Sequence, residues 1–272
     1  MRRAIQALGL FLLPGFFFGA CRAPSPGEPL RLRVLSYNIR HGVGMDGRLD
    51  LDRQARVIRR ISPDLVALQE VDQGTKRSGG RREAEVLGRK AGLHGTFGKA
   101  MDFDGGGYGE GILSRFPFLS VAVHPLPAAK GYEPRALLEA KVRAGKGGPL
   151  VLFFGTHLDH LSDTQRIAQA KVINRIARSL EGIPMILAGD LNASPGSPVM
   201  AEFFKEWTPA ALQAGPTFPA DKPGRKIDWV LFRPARRWRV LQARVVREPV
   251  ASDHRPLQVV LELLPPGGRA GR

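Results

Sequence analysis

The sequence predicts a single α/β domain in which layered β-sheets are covered by a few helices. Three observations carry this. Short apolar runs of strand character recur along the chain, with only three stretches of helical spacing among them, the pattern expected when helices cover the faces of sheets. At 272 residues and 43% hydrophobic, the chain can bury one sizeable core. No repeat and no Pro/Gly linker divides its middle, so one domain is expected over 31–264.

The ends stand apart from that domain. Arg2 and Arg3 precede an apolar run from Ala4 to Ala20, a cationic start and apolar centre that describe a secretory signal over 1–21. Pro14 and Gly15 sit inside the run, which is short for a spanning helix. The only cysteine, Cys21, closes it after Phe18, Gly19 and Ala20. That ending resembles a bacterial lipobox with Phe18 in place of the usual Leu. It implies export to the cell envelope, with a lipid on Cys21 anchoring the protein to a membrane; a plain signal peptide with a free Cys21 is the simpler alternative. With no other cysteine the domain has no disulfide, so its stability must come from core burial. Residues 22–30 read as a flexible tether rich in proline, and 265–272 as a disordered tail.

Within the domain, 32–38 is a strand candidate ending in polar residues. Helical spacing follows over Leu51–Ile61, with Ala55, Ile58 and Ile61 on one side, Arg53, Arg56 and Arg60 outside, and Pro63 as the stop. Residues 64–69 form a buried strand that runs into Glu70. A second helix is expected over 81–93 and a third over 164–180, where Ile167, Ala170, Ile173, Ala177 and Leu180 make the apolar face. Strands are expected at 109–114, 118–126, 136–143, 150–156, 183–187, 226–232, 239–246 and 256–263.

The formal charge is +16, from Lys+Arg 41 against Asp+Glu 25. Such a surface attracts polyanions such as nucleic acid, anionic lipid or envelope phosphates. The competing reading is compositional, because Arg outnumbers Lys 31 to 10. Nine Lys and Arg fall within 221–247, either a track for a nucleic-acid backbone or the solvated face of two strands. Trp207, Trp229 and Trp238 read as packing residues, and Trp229, directly after Asp228, as one that helps bury that carboxylate.

Chemistry is expected at strand ends. Asn38, Glu70, Asp190 with Asn192, and Asp253 with His254 are polar residues that interrupt apolar strands in such places. Carboxylates and amides without cysteine favour a hard, oxygen-liganded cation, Mg²⁺ or Mn²⁺, over zinc. Singly, each has a plainer reading as a cap, a turn residue or a structural histidine.

The combination resembles the endonuclease/exonuclease/phosphatase superfamily. Nine segments occur in the order found there: SYNIRHG (36–42), LQEVD (68–72), YGEGILSRFP (108–117), PRALLEA (134–140), THLD (156–159), GDLNASP (189–195), TFP (217–219), IDWVLF (227–232) and SDHRP (252–256). The resemblance implies a four-layer α/β sandwich, two β-sheets face to face with helices outside. It implies that Glu70 binds the metal, helped by Asn38 and Asp253. Asp190 would orient or deprotonate the attacking water, and Asn192 would contact the phosphate. His254 would stabilise charge or give a proton, held by Asp228. His157 would be a second histidine at the phosphate, and Arg135 would approach that phosphate.

One departure bears on the substrate. Many members have Asn where Glu110 stands; Tyr108 and Glu110 instead resemble the Tyr-x-Glu of pancreatic-type nucleases, in which the Glu pairs with the second histidine. Glu110 is then expected to polarise His157. The reaction expected is metal-dependent, nuclease-like hydrolysis of a phosphodiester by a monomer. The alternatives are a sphingomyelinase-like lipid or inositol-phosphate esterase, and an inactive basic lipoprotein that binds polyanions. Asp159 and His160 read as loop residues; His41 and Arg40 are weaker candidates for substrate contact.

Overall fold

Alternation along each strand sorts the apolar side chains onto two faces, and both faces are covered. In the first strand, Val34 joins a core with Ala67, Phe153 and Val230, while its neighbour Leu35 joins a different core with Ile58, Val66 and Leu87. Phe153 and Phe154, and Val230 and Leu231, divide in the same way. A period of two with both faces apolar is the signature of sheets buried on each side.

The computed structural model describes residues 29–266. The expected signal, Cys21 and the tether up to residue 28 lie outside the described residues, as does the tail beyond 266. The strands are β1 (Leu30–Asn38), β2 (Leu65–Gln73), β3 (His94–Phe103), β4 (Gly106–Ser114), β5 (Phe118–Leu126), β6 (Arg135–Arg143), β7 (Leu150–His157), β8 (Met185–Asp190), β9 (Thr208–Pro209), β10 (Asp228–Arg233), β11 (Trp238–Val245) and β12 (Leu257–Leu263). The helices are α1 (Leu51–Ile61), α2 (Glu83–Ala91), α3 (Asp163–Ser179) and α4 (Pro198–Phe203). They build two six-stranded sheets, ordered β11-β12-β1-β2-β4-β3 and β5-β6-β7-β8-β10-β9. One core lies between the sheets; a second lies under α3 and α4, and a third under α1 and α2. This is the expected four-layer sandwich.

The parallel pairs β1–β2 and β7–β8 need helical crossovers, which α1 and α3 supply. Asp50 caps α1 by accepting from Arg53 N, and Ser62 closes it in the left-handed region just before Pro63. Because β1, β7 and β8 all run the same way relative to the site, Asn38, His157 and Asp190 arrive together at one end of the sandwich.

Three elements were not expected: β3, α4 and β9. Glycines hide β3, and they are required there, since a Cβ on Gly95 would strike the carbonyl oxygen of Ala84 in α2. The expected helix at 81–93 is shorter, because Gln73 bridges to Arg82 and Gly92 ends the helix in the left-handed region. All three tryptophans are buried. Trp229 does not shield Asp228, however: strand alternation turns it to the opposite face, into the core under α3 and α4.

Glu83, at the start of α2, is fully buried and accepts a hydrogen bond from Asp72 N (2.9 Å), while its other oxygen has no partner. Burial above all, helped by the Asp72 charge, pushes its carboxyl from 4.5 to about 8. A raised folded pKa means that the contribution to stability is complete below the unfolded value and lost as pH rises through the folded one. Glu83→Gln is therefore expected to stabilise the protein at pH above about 8, by roughly the 1–3 kcal/mol that an unsatisfied buried group costs. It is expected to change little near pH 4.5, and thermal unfolding at both pH values checks this.

Candidate active site

One row of the second sheet carries three of the expected residues. His157 pairs with Asp190 across β7–β8, and Asp190 with Asp228 across β8–β10, so their side chains share the face toward the first sheet. Asn38, at the end of β1, reaches across from that sheet. Its Nδ2 donates to Glu70 Oε1 (2.9 Å) and approaches Asp190 Oδ2 (3.4 Å).

Glu70 reaches this point because β2 is broken there. The register slips between Leu68 and Val71, and Glu70 itself has φ 56°, a bulge that re-aims one side chain. Arg40 (48°), His41 (42°) and Asn192 (48°) are also left-handed. Four of the six non-glycine residues with positive φ among those described thus surround one cleft. Strain of this kind costs about 1–3 kcal/mol per residue and persists where the surroundings enforce it. Here Asn38 Oδ1 accepts from Arg40 N (3.0 Å), and Ser252 Oγ donates to Asn38 O (2.7 Å), tying the loop before β12 to the end of β1.

That loop delivers His254. Its Nδ1 lies 2.9 Å from Asp228 Oδ2, and its Nε2 lies 3.6 Å from Asp190 Oδ2. Burial alone would favour the neutral ring, but the charges of Asp228 and Asp190 outweigh it and raise the pKa, holding His254 cationic. Thr217 Oγ1 donates to the same Asp228 oxygen and fixes the carboxylate. Burial raises the Asp190 carboxyl, and the His254 charge opposes that rise. Asp190 Oδ1 accepts from Asn192 N (2.9 Å). Neither Thr217 nor Ser252 was singled out from sequence, although each sits inside a matched segment, TFP and SDHRP.

Asp190, Asp228 and His254 each offer a ligand atom, all within 4.8 Å of one another, and could hold a metal ion. Within the protein these atoms already face one another: Asp228 Oδ2 meets His254 Nδ1, and Asp190 Oδ2 faces the Nε2 atoms of His157 and His254. The Glu70 and Asp253 carboxylates are of the type that suits a hard divalent cation, whereas Asn38 turns its Nδ2, which cannot ligate, toward Glu70 and its Oδ1 toward Arg40 N. Burial raises the Glu70 carboxyl and the Asp253 charge raises it further, a like-charge strain that a cation relieves.

The expected Glu110–His157 pair is not formed. Arg135 Nη1 lies 3.0 Å from His157 Nδ1, and Asn192 Nδ2 lies 3.1 Å from Nε2, so both ring nitrogens are engaged without Glu110. Glu110 is buried with Oε2 unpartnered, and burial drives its carboxyl well up against the pull of Arg135. Arg135 itself is 3% exposed and also meets Glu133 Oε1 (3.0 Å) and His160 Nδ1 (3.4 Å). Tyr108 packs on Phe103 under the Arg77 guanidinium. Burial raises its hydroxyl, and so does the nearby Glu70 charge. Asp159 is a loop residue as expected, its Oδ1 accepting from Leu161 N and Ser162 N.

The sequence profile of the Endonuclease/Exonuclease/phosphatase family matches residues 35–254, which include every residue of this cluster. Among solved structures, an endonuclease/exonuclease/phosphatase from Beutenbergia cavernae is similar over 86% of this chain and 72% of its own, with 28% identity and a TM-score of 0.71. A mannosyl-6-phosphatase from Bacteroides thetaiotaomicron is 19% identical over 85% and 99% of the two chains, with a TM-score of 0.68. The human nocturnin catalytic domain, solved with bound sulfate, is 19% identical over 89% and 97%, with a TM-score of 0.67. These two share the fold. Comparison by sequence with curated proteins gives no match.

Proposed function

The chain belongs to the endonuclease/exonuclease/phosphatase family, whose members hydrolyse phosphoester bonds, and from that premise we propose a Mg²⁺- or Mn²⁺-dependent phosphodiesterase acting on a polyanion such as nucleic acid. The observation that carries this reading is the placement of Asp190, with His157 Nε2 at 3.5 Å and His254 Nε2 at 3.6 Å from its Oδ2 and Asn38 and Glu70 on the other side. A phosphate seated there meets a base, a cation, an amide and a metal-binding carboxylate together.

Asp190 takes the proton of the attacking water, for which a carboxyl raised by burial is suited. Asn192 holds a phosphate oxygen. His254, kept protonated by Asp228, stabilises the charge of the pentacoordinate phosphate and gives its proton to the leaving oxygen. A bound Mg²⁺ or Mn²⁺ would neutralise charge on the phosphate oxygens, and Glu70 and Asp253 would hold it, joined by Asn38 once its amide turns Oδ1 into the site. No bond between protein and phosphorus is needed.

A polyanionic substrate is supported by charge. Of the nine cations in 221–247, Lys222, Arg225, Arg236, Arg239, Arg244 and Arg247 are exposed, and Arg225 lies over Phe218, whose ring packs on His254 (4.8 Å). The missing Glu110–His157 pair withdraws the separate argument from nuclease-like sequence. Plasmid, single-stranded DNA, RNA, sphingomyelin, inositol phosphates and a sugar phosphate should each be tested with Mg²⁺ and with EDTA. Nicking or degradation of nucleic acid that EDTA abolishes and low salt accelerates is expected. Turnover confined to lipid or small phosphates would replace the substrate assignment. Salt-sensitive binding without turnover would leave an inactive polyanion binder.

A further inference from the structure

The cations of 221–247 do not all stand at the cleft. β10 runs away from Asp228 to Arg233, and β11 starts at Trp238, opposite Leu263, so Arg236, Arg237 and Arg239 fall at the end of the first sheet where β1 begins. A groove of about 450 Å³ opens there, lined by Leu30, Leu263 and Leu264, the exposed Pro149 and Pro265, and Arg237 and Arg239. Arg237 Nε donates to Leu264 O (2.9 Å), which fixes the guanidinium at the lining. Burial first and the Arg236 charge second weigh against its charged state, a strain that an anion relieves. Glu262 is shared between Arg239 (2.7 Å) and Arg31 (3.4 Å) and balances neither Arg236 nor Arg237. Lys146, in the turn between β6 and β7 that also carries Pro149, adds an exposed cation.

Beside these charges the surface is apolar. The register of β11 shifts between Val240 and Gln242, and Val240 and Leu241 are exposed there, on the outer strand of the sheet. Unpaired guanidinium groups suit phosphate, and exposed prolines and aliphatic side chains suit the boundary between headgroups and acyl chains. A single-stranded nucleic acid would instead use surfaces on which bases stack, and Trp238 is buried in the core. Reach fits as well: the eight chain steps from Cys21 to Pro29 span at most about 28 Å, so a lipid on Cys21 would hold this end of the domain near a bilayer. We propose that the groove is a docking surface for an anionic phospholipid bilayer, with Arg236, Arg237 and Lys146 on headgroup phosphates and the apolar lining against the acyl boundary. The docking is independent of what the cleft hydrolyses and does not require the lipid.

Co-sedimentation with vesicles tests it on residues 22–272, which lack Cys21 and keep all three cores. Binding is expected on vesicles of equal phosphatidylglycerol and phosphatidylcholine, and little on phosphatidylcholine alone. Arg236→Gln/Arg237→Gln/Lys146→Gln is expected to weaken that binding by roughly 100-fold, since each basic residue near an anionic surface contributes about fivefold. Arg89→Gln/Lys171→Gln/Arg175→Gln removes the same charge from exposed positions on α2 and α3 and should stay within about threefold of the wild type. Equal losses in the two variants would overturn the proposal, because bulk charge would then explain the binding. So would equal binding to both kinds of vesicle, or none to either. Loss of DNA binding in the groove variant, with vesicle binding intact, would give the groove to nucleic acid and overturn it too. Thermal unfolding checks that each variant folds; if the first does not, Arg236→Gln/Lys146→Gln, both at exposed positions, takes its place.

Discussion

Asp190→Asn is expected to lower kcat by roughly 10³- to 10⁴-fold while leaving the folded structure intact, the scale of removing a positioned base in a hydrolytic site. The substitution is isosteric, and the amide oxygen can still accept from Asn192 N as Asp190 Oδ1 does at 2.9 Å. What is lost is the acceptor for the water proton. Stability should fall far less than activity, because burial above all, and the charges of Asp228 and Glu70, resist the ionisation of Asp190, against the pull of His254. A steady-state assay beside thermal unfolding separates the two. A variant that keeps more than about a tenth of wild-type kcat would remove Asp190 from the role of base.

Asp228→Asn should be costly in both respects. The Asp228 carboxylate accepts from His254 Nδ1 at 2.9 Å and from Thr217 Oγ1, and it is fully buried. Removing its charge strands a buried cation, a change that typically destabilises by about 3–5 kcal/mol. It also replaces a charged acceptor by a neutral amide that no longer favours the imidazolium, and the same change in a comparable hydrolytic site costs about 10⁴ in kcat. The pH dependence has a definite sign. The folded pKa of His254 lies above its ordinary 6.5, so its contribution to stability is complete below that value and is lost as pH rises toward the folded one. Wild-type activity is therefore expected to persist at pH values where a free histidine is neutral. In Asp228→Asn the basic limb of kcat against pH should move down by at least about one unit. An unmoved limb would mean that the titrating group is not His254.

Much of this was legible from local pattern. Apolar alternation marked ten of the twelve strands, because inner and outer cores demand different residues at odd and even positions. It failed for β3, where Gly95 and Gly98 serve close packing in place of burial. It also failed for α4 and β9, which are too short to show a period. The site residues were legible because they are polar groups at the ends of apolar strands. Their partners were not. The bulge that aims Glu70 depends on how β2 meets β4, and the contact of Arg135 with His157 joins residues 22 apart in sequence on neighbouring strands. A residue type such as Glu110 can match a motif while its neighbours are already engaged elsewhere; only the packed structure shows which neighbour takes the ring nitrogen.

The direction of β1 has a consequence for orientation. The strand enters at Leu30 and reaches the cleft at Asn38, eight steps of about 3.3 Å, so the catalytic mouth opens roughly 26 Å from the point where the chain joins the sheet. A leash attached ahead of Leu30, such as the one expected at Cys21, would grip the domain by its base. The cleft would then lie clear of its own attachment, at the far end of the domain from the leash.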